Sequence, residues 1–412
     1  MPAKPASFRR PEIALSEYAA RRKKTIAALK GAIGLVFAGD SDASLHGTYR
    51  PHPHFEYLTG IVDEPGAILL LDPTASEGRQ ATLFLRPLDP EVEKWDGLRD
   101  EIASPLRQRY GISPIFRLPR LGRVVDGCMK RTRKCACLHP FGWLDQAVSP
   151  DLALFRRLAE RYTDVEIADR TDVLAKQRVV KSKGEQAMIR EAVEISRVAY
   201  DTMFRTIAPG QTEWDVMETL EHGYRANGSR GTGYNTIVGA GLNGTVLHYT
   251  ANQAPIADGD LIVIDSGADY RGYTADVTRT IPANGRYSPR QKEIYELVLK
   301  ALEAATKIVK PGVTFDRIDK AARDVITKAG YGDRFFHGIG HHIGLEVHDI
   351  TPEGPLKAGA ILTIEPGIYL PDENFGVRIE DDILITKDGH EVLTRNIPKS
   401  VRAIEKAMAD RA

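Results

Sequence analysis

The 412-residue sequence has few cysteines, no net charge and no long apolar run, and each absence excludes a class of protein. Three cysteines are too few for the disulfide framework of a secreted domain, and their odd number favours a reducing compartment. The 56 acidic and 56 basic residues balance, so the chain has no overall attraction to nucleic acid or to an anionic membrane. No apolar run reaches the length of a membrane span, and none of signal-peptide length follows the basic residues near the N-terminus. The sequence therefore predicts a cytoplasmic protein that binds neither nucleic acid nor membrane.

Histidines and acidic residues are concentrated in one stretch, residues 336–382. Three of its histidines and two of its glutamates, which follow or interrupt apolar runs, are candidate site residues: His337, His341, His348, Glu365 and Glu380. An apolar strand that ends in a charged side chain is costly to bury unless that charge has a partner. A metal ion is the simplest such partner, so we predict a metal site in this stretch.

An upstream stretch, residues 260–281, has the same form. Asp265 follows an apolar run as Glu365 does, and Asp276 lies shortly after a glycine as Glu380 does. A third pair of segments begins with Pro-Gly-x-Thr and ends with Gly: Pro209–Gly228 and Pro311–Gly330. All three pairs are offset by about 100 residues. The second half of the chain therefore reads as an internal duplication in which each copy supplies two carboxylates.

The first part of the chain alternates strand-like and helix-like segments, which predicts an α/β domain over residues 1–176. The strands are predicted at Gly34–Ala38, Ala67–Leu71 and Thr82–Leu85, and the helices at Ser16–Leu29 and Leu152–Arg161. Residues 50–60 are predicted as a loop with an aromatic turn. Trp95 has polar neighbours, which indicates a surface or interface position. A basic segment near residue 176 leads into the second domain, residues 177–412.

In the second domain, strands that end in acids are flanked by helices. The helices are predicted at about Gly184–Ile207, Glu213–Ala226 and Pro289–Val309, and the strands at Thr236–Gly239, Thr245–Tyr249, Leu261–Asp265 and Thr274–Ile281. This order favours helices packed on one face of a curved antiparallel sheet, with the acids on its concave face. The fold class of the whole chain is thus predicted to be α+β. Two half-domains related by a pseudo-twofold axis would bring their acids together at the centre.

The duplicated framework combines four carboxylates and one imidazole into one predicted ligand set: Asp265, Asp276, His341, Glu365 and Glu380. An oxygen-rich set suits Mn²⁺ better than Zn²⁺, which prefers nitrogen and sulfur. Four carboxylates carry more charge than one divalent ion neutralises. Two bridged ions balance that charge, and such a pair activates water for hydrolysis.

Other polar side chains can assist this chemistry. Three histidines are predicted to line the cavity, bind a substrate carbonyl and stabilise the oxyanion: His248, His337 and His348. Glu365 can carry a proton from the nucleophile to the leaving nitrogen. Arg378 lies two residues before Glu380, on the same side of a strand, where it can bind the carboxylate of a ligand or of the substrate. His222 and His342 are predicted to be structural.

These segments resemble those of the pita-bread metallopeptidases, most closely aminopeptidase P and prolidase. The matching runs in the second domain are YNTIVGAGLNGTVLHYT, GDLIVIDSGADYRGYTADVTRT, FFHGIGHHIGLEVHD, TIEPGIY and RIEDD. A weaker similarity to the aminopeptidase P N-terminal domain covers RPHPHFEYLTGIVDEPGAILLL and EKWDG. The resemblance implies a C-terminal pita-bread domain, which is a duplicated antiparallel sheet covered by helices, and a smaller α/β N-terminal domain.

The resemblance also implies an activity. It places two metal ions on the five predicted ligands, with Mn²⁺ as the usual metal and Zn²⁺ or Co²⁺ as alternatives. It assigns substrate binding and proton handling to the cavity histidines, with two supporting residues: His248, His337, His348, Tyr369 and Arg378. The implied reaction releases the N-terminal residue from peptides with proline in second position. Homodimers or homotetramers are implied as well, with the N-terminal domain, at positions like Trp95, reaching a neighbour's active site.

Departures from the family pattern leave the length of the peptide substrate open. The segment PDENFG is short, residues 330–335 are abbreviated, and His342 stands where an aromatic residue is common. An Xaa-Pro dipeptidase (prolidase) therefore remains an alternative to an Xaa-Pro aminopeptidase. A creatinase-like hydrolase or a non-catalytic binding protein of the same fold is disfavoured because all five ligand positions are filled. A methionine aminopeptidase is disfavoured because that family typically lacks such an N-terminal domain.

Overall fold

The structure is a computed structural model that describes residues 11–40 and 49–409. The chain forms two compact units, one spanning Ile13–Arg178 and the other Val179–Ala412 with the N-terminal residues up to Glu12. We call them the N-terminal unit and the C-terminal unit. The functional assignment of residues 1–176 and 177–412 to separate domains stays a prediction. No helix in the described ranges combines the length and apolar character that a membrane crossing requires.

Helices and strands occur throughout the described chain. The helices are α1 (Leu15–Ala28), α2 (Pro53–Thr59), α3 (Pro90–Asp96), α4 (Ser104–Tyr110), α5 (Leu121–Met129), α6 (Pro150–Arg161), α7 (Thr171–Val179), α8 (Lys183–Thr206), α9 (Glu213–Ala226), α10 (Pro289–Lys307), α11 (Phe315–Lys328) and α12 (Val401–Ala409). The strands are β1 (Ile33–Phe37), β2 (Ile68–Leu71), β3 (Ala81–Leu85), β4 (Ile115–Arg117), β5 (Lys134–Cys137), β6 (Glu166–Asp169), β7 (Gly231–Thr232), β8 (Ile237–Ala240), β9 (Leu261–Asp265), β10 (Ala268–Tyr270), β11 (Tyr273–Thr274), β12 (Thr278–Pro282), β13 (Ile361–Ile364), β14 (Gly367–Leu370), β15 (Phe375–Arg378), β16 (Asp381–Ile385) and β17 (His390–Val392).

The N-terminal unit is built on one six-stranded sheet in the order β4-β3-β2-β1-β5-β6. Strand β2 is antiparallel to β1 and β3, and the outer pairs are parallel. Every residue of β2 is buried, as expected for a central strand covered on both faces. Val125 of α5 and Phe155 of α6 pack into the same apolar cluster as the inner strands. The predicted α/β architecture is confirmed.

One prediction in this unit is wrong, because residues 53–59 form helix α2 instead of a loop. The His52 side chain accepts a hydrogen bond from the His54 amide and so caps the helix, and Pro53 occupies the first turn. Gly60 ends the helix in the left-handed region, with φ of 69°. Histidine is a rare N-cap, so the start of this helix carries none of the usual capping residues.

The C-terminal unit repeats one order of elements. The helix pair α8–α9 is followed by β9, the β10–β11 hairpin and β12, and the pair α10–α11 by β13, the β14–β15 hairpin and β16. In each copy the strands that flank the hairpin pair antiparallel, β9 with β12 and β13 with β16. The predicted duplicated α+β fold is therefore confirmed.

Capping residues explain why the helix boundaries of this unit could be predicted closely. Helices α8, α9 and α10 each begin with a reciprocal capping box, formed by Ser182 with Glu185, Thr212 with Asp215, and Ser288 with Gln291. Such pairs satisfy amide groups that a helix start leaves without partners. Because the pairs are local in sequence, the pattern marks the boundary before any tertiary contact is known.

Two predicted strands differ from the structure. Residues 245–249 were expected to form a strand, but a short 3-10 helix, Gly241–Thr245, is followed by irregular chain. The side chain of Glu213 contacts this chain through the Tyr249 hydroxyl and accepts hydrogen bonds from the amides of Ala240 and Ala254 on either side of it. The strand expected over 274–281 is interrupted because the amide of Asp276 donates to the Asp382 side chain, 3.1 Å away, and not to a neighbouring strand.

A cluster of three histidines in the N-terminal unit is expected to make its stability depend on pH. The ring centroids of His52 and His139 lie 4.4 Å apart, and those of His52 and His54 lie 5.1 Å apart. Arg178 contacts His54, whereas Asp151 accepts hydrogen bonds from backbone amides beside His139. Burial lowers the pKa of His52 to about 3 and also lowers the pKa values of His54 and His139.

His52 stays neutral in the folded chain at pH 5.5 but takes up a proton in the unfolded chain below about pH 6.5. Stability is therefore fully present above that pH and is lost as the pH falls. At pH 5.5 the contribution of His52 to this loss is about 1.4 kcal/mol. Replacing His52 by asparagine, which can still cap α2, is expected to remove the contribution of His52 from the pH dependence of the free energy of unfolding, measured in urea. The exposed His222→Asn is the control, and equal pH dependence in both variants would refute this prediction.

Candidate active site and metal centre

A cavity of about 460 Å³ in the C-terminal unit collects the predicted site residues. It is lined by all five predicted ligands together with three histidines and one arginine: Asp265, Asp276, His341, Glu365, Glu380, His248, His337, His348 and Arg378. Tyr369 does not line it, and neither do His222 and His342. His342 is buried against Phe315, with its Nδ1 atom 3.1 Å from the carbonyl of Ile361.

The strand ends explain how these acids meet. Asp265 is the last residue of β9, and Glu365 directly follows β13, the equivalent strand of the second copy. Asp276 precedes β12, and Glu380 precedes β16, again at equivalent places. The two copies contact each other here, because the hydroxyl of Thr278 donates to Glu380 at 2.7 Å. The duplication therefore brings one pair of acids from each copy to one cavity.

Three predicted ligands are close enough to hold one cation. Asp276, His341 and Glu380 each offer a ligand atom, and these atoms lie within 4.8 Å of one another. The His341 Nε2 atom is 3.6 Å from Asp276 Oδ2 and 3.5 Å from Glu365 Oε1. Its Nδ1 atom lies 3.1 Å from the carbonyl of His342, which fixes the ring and leaves Nε2 directed at the acids.

The electrostatics of the site also fit a bound cation. Burial and the neighbouring carboxylates raise the pKa values of Asp276 and Glu380 well above their usual range. Glu380 Oε1 is buried and has no hydrogen-bond partner among the described residues. Burial lowers the pKa of His341 to about 4, so the imidazole is neutral at pH 7, as a metal ligand must be. A divalent cation would supply the charge that this cluster lacks.

The guanidinium of Arg378 donates hydrogen bonds to side chains of the site. It donates to Asp265 Oδ2 at 2.8 Å, to the Tyr369 hydroxyl at 3.2 Å and to the Thr278 hydroxyl at 3.3 Å. The side chain is buried, so these contacts are screened little by water. The sequence left open whether Arg378 binds the carboxylate of a ligand or of the substrate, and in the structure it binds that of the predicted ligand Asp265.

The three cavity histidines lie around the acids. The rings of His341 and His348 are 4.3 Å apart between centroids, and His248 faces His348 at 6.4 Å. The Nε2 atom of His337 is 2.9 Å from the Tyr369 hydroxyl. Tyr369 therefore contacts the cavity through His337 and Arg378.

Tyr234 is a cavity residue that the sequence reasoning did not single out. Its hydroxyl donates to Asp265 Oδ1 at 2.6 Å and also lies against Asp276 Oδ1. It opens the run YNTIVGAG, just before β8, so only its position in that motif gave a signal. A single tyrosine with no histidine or acidic residue beside it in the sequence is ordinarily interpreted as a partly buried structural residue.

Replacing Tyr234 by phenylalanine is expected to lower metal affinity about 10- to 100-fold, because Tyr234 orients two ligand carboxylates. Calorimetric titration of Mn²⁺ into the chelator-treated protein measures this loss. Tyr295→Phe is the matched control, since that buried hydroxyl donates to the carbonyl of Lys399. Equal affinity in Tyr234→Phe and wild type would show that the hydroxyl does not organise the ligands.

Comparison with known proteins adds an independent finding. The family model of metallopeptidase family M24 matches residues 187–387. The model of the aminopeptidase P N-terminal domain matches residues 18–136. The Xaa-Pro aminopeptidase of Haemophilus influenzae is 32% identical, over 87% of this chain and 88% of its own. The Xaa-Pro dipeptidase of Pyrococcus furiosus is 41% identical, over 82% of this chain and 90% of its own. The structure of aminopeptidase PepP of Pseudomonas aeruginosa superposes with a TM-score of 0.87 at 34% identity, covering 97% of this chain and 98% of that one.

Proposed function

The chain belongs to metallopeptidase family M24, and from that premise we propose that it is an Xaa-Pro aminopeptidase. It would hydrolyse the bond between an N-terminal residue and a following proline. The observation that carries the proposal is the cavity in which acids from both copies meet His248, His337, His341 and His348. The metallopeptidase family implies divalent metal, and the donor set of the cavity fits it.

The proposed metal content is two divalent cations, with Mn²⁺ preferred over Zn²⁺ and Co²⁺ because oxygen ligands dominate. The residues that would hold them are the five predicted ligands: Asp265, Asp276, His341, Glu365 and Glu380. When bound, such a pair supplies Lewis acidity and lowers the pKa of water. The remaining roles belong to side chains of the cavity wall.

His248 and His348 face each other and would bind the carbonyl of the scissile bond, where an N–H donor stabilises the developing oxyanion. Glu365 would transfer the proton, a role supported by the position of its carboxylate in the cavity lining beside His341. Burial raises the pKa of Glu365 to about 7, so it holds a proton more readily than an exposed glutamate does. Arg378 would keep Asp265 in position.

The charge of the cavity wall favours an aminopeptidase over a dipeptidase. A Xaa-Pro dipeptide carries its carboxylate on the proline itself, so an enzyme specific for dipeptides needs a cation beside that residue. Arg378 is the only lysine or arginine among the described residues of the lining, and it already donates to Asp265, Tyr369 and Thr278. A longer peptide places its carboxylate elsewhere. The dipeptidase remains the second candidate because of the relative from Pyrococcus furiosus.

A cleavage panel separates the candidates. With Mn²⁺ added, we expect kcat/KM for Ala-Pro-Ala to exceed that for Ala-Pro by at least about tenfold, a difference of about 1.4 kcal/mol in transition-state binding. Ala-Ala-Ala controls for the requirement for proline, and Met-Ala tests for a methionine aminopeptidase. Strict use of Ala-Pro would establish the dipeptidase, and failure to cleave any Xaa-Pro peptide would refute both.

A homodimer or homotetramer is a further proposal. Trp95 on α3 and Leu98 just after it are 89% and 92% exposed, which is unusual for large apolar side chains that lie so close together. Light scattering on the purified protein measures the mass directly. The cytoplasmic location and the absence of nucleic-acid and membrane partners stay predictions from the sequence.

A further inference from the structure

The segment that carries His248 has little regular structure of its own. Residues 241–254 contain only the 3-10 helix Gly241–Thr245, yet Leu247, His248 and Thr250 line the cavity. A segment without the hydrogen-bond ladder of a strand must be held by side chains or by water. The placement of His248 therefore depends on whatever fixes this segment.

The carboxylate of Glu213, the first residue of α9, is fully buried and receives four hydrogen bonds from this region. Its Oε1 atom accepts from the Ala240 amide at 2.8 Å and from Asn243 Nδ2 at 2.9 Å. Its Oε2 atom accepts from the Tyr249 hydroxyl at 2.9 Å and from the Ala254 amide at 2.8 Å. The donors span the segment from end to end, and His248 lies between two of them.

Only a carboxylate matches these four donors. Each oxygen of Glu213 accepts from one backbone amide, of Ala240 or of Ala254, so an amide side chain in its place would set an N–H group against one of these backbone N–H groups. The donors are backbone amides, a side-chain amide and a hydroxyl, none of which carries a charge. The position at the start of α9 helps to stabilise the anion through the helix dipole.

A second buried side chain fixes the far end of the segment. Asn252 accepts from the Val238 amide at 2.9 Å and donates to the Thr236 carbonyl at 2.7 Å. Its backbone has φ of 47°, in the left-handed region that asparagine tolerates. The segment is thus joined to β8 at its end by Asn252 and along its length by Glu213.

We propose that Glu213 is a positioning residue that acts through His248. Its carboxylate holds residues 241–254 so that His248 faces His348 across the cavity. The kinetic test of this proposal rests on the proposed peptidase function. The hydrogen–deuterium exchange test does not. A residue that only stabilised the fold would lower stability without acting through His248.

A double-mutant cycle with Ala-Pro-Ala as substrate tests this action. Glu213→Gln is expected to lower kcat/KM about 10- to 100-fold in the wild-type background, because displacement of a substrate-binding group by about 1 Å is enough. In the His248→Ala background the same change is expected to cost less than about threefold. Equal losses in both backgrounds would overturn the proposal. Glu185→Gln, a buried carboxylate in the capping box of α8, is the control and should leave kcat/KM unchanged.

Hydrogen–deuterium exchange gives a readout that needs no activity. Peptides covering residues 241–254 are expected to exchange at least about tenfold faster in Glu213→Gln than in wild type, and at the wild-type rate in Glu185→Gln. Should Glu213→Gln not fold, Tyr249→Phe removes one donor and should give the same local change to a smaller degree. Unchanged exchange overturns the proposal. If the wild type cleaves no Xaa-Pro peptide, the peptidase function fails and exchange alone decides the role of Glu213.

Discussion

Replacing Asp276 by asparagine is expected to lower kcat/KM on Xaa-Pro peptides about a thousandfold or more, because several kcal/mol of transition-state stabilisation depends on the metal. Asp276 is buried, lies in the cluster with His341 and Glu380, and has its amide held by Asp382. Asparagine keeps the shape but loses the charge and one metal-binding oxygen. Activity, measured by peptide hydrolysis, and metal content, measured on the same sample by mass spectrometry, should fall together.

The same variant is expected to be more thermostable than wild type when both are stripped of metal. Burial and neighbouring carboxylates raise the pKa of Asp276, so its ionised form opposes folding at pH 7, and a neutral amide removes that opposition. Asp269→Asn is the control, since Asp269 is also buried but lies outside the cavity lining. A variant with full metal content and full activity would show that Asp276 is not a ligand.

Replacing Lys181 by methionine is expected to reduce the free energy of unfolding by about 3–5 kcal/mol, the range for removing one partner of a buried ion pair. Lys181 Nζ lies 3.1 Å from Asp349 Oδ2, and both side chains are almost completely buried. Asp349 directly follows His348, so the pair also fixes the loop that carries this histidine. Gly344 belongs to the same packing, since a Cβ there would lie 2.1 Å from Asp349 Oδ2.

Urea unfolding of the metal-stripped protein measures this loss without interference from ligand binding. The double variant Lys181→Met/Asp349→Asn should be more stable than Lys181→Met alone, because no buried charge is left without its counterion. If Lys181→Met lowers the free energy of unfolding by less than about 1 kcal/mol, the prediction is wrong, because the pair would then contribute no more than a solvent-exposed ion pair does.

Local sequence patterns predicted much of the fold. The apolar runs of β1, β2, β3 and β9 are short and end at turn residues, and the capping boxes mark three helix starts. The repeated spacing of acids predicted the duplication, which the order of helices and strands confirms. These signals are local or periodic, so they can be read without knowledge of tertiary contacts.

Features that depend on distant partners were not predicted. The chain around Tyr249 is one such feature, because the Tyr249 hydroxyl donates to Glu213 more than thirty residues away in sequence. Helix α2 was missed for a different reason, since its cap is local but histidine rarely caps a helix. Tyr234 contacts Asp265 and Asp276 only because β8 pairs with β9. Except for Tyr369, the candidate site residues that the sequence predicted line the cavity, and their catalytic roles stay predictions.

The most direct test of the central claim is a titration of Mn²⁺ into chelator-stripped protein, with Ala-Pro-Ala hydrolysis and bound metal measured at each step. If acids from both copies hold a pair of cations that activates water, hydrolysis should be absent without metal and should saturate at about two ions per chain. Hydrolysis that persists after the metal is removed, or no hydrolysis with the site fully loaded, would contradict the account.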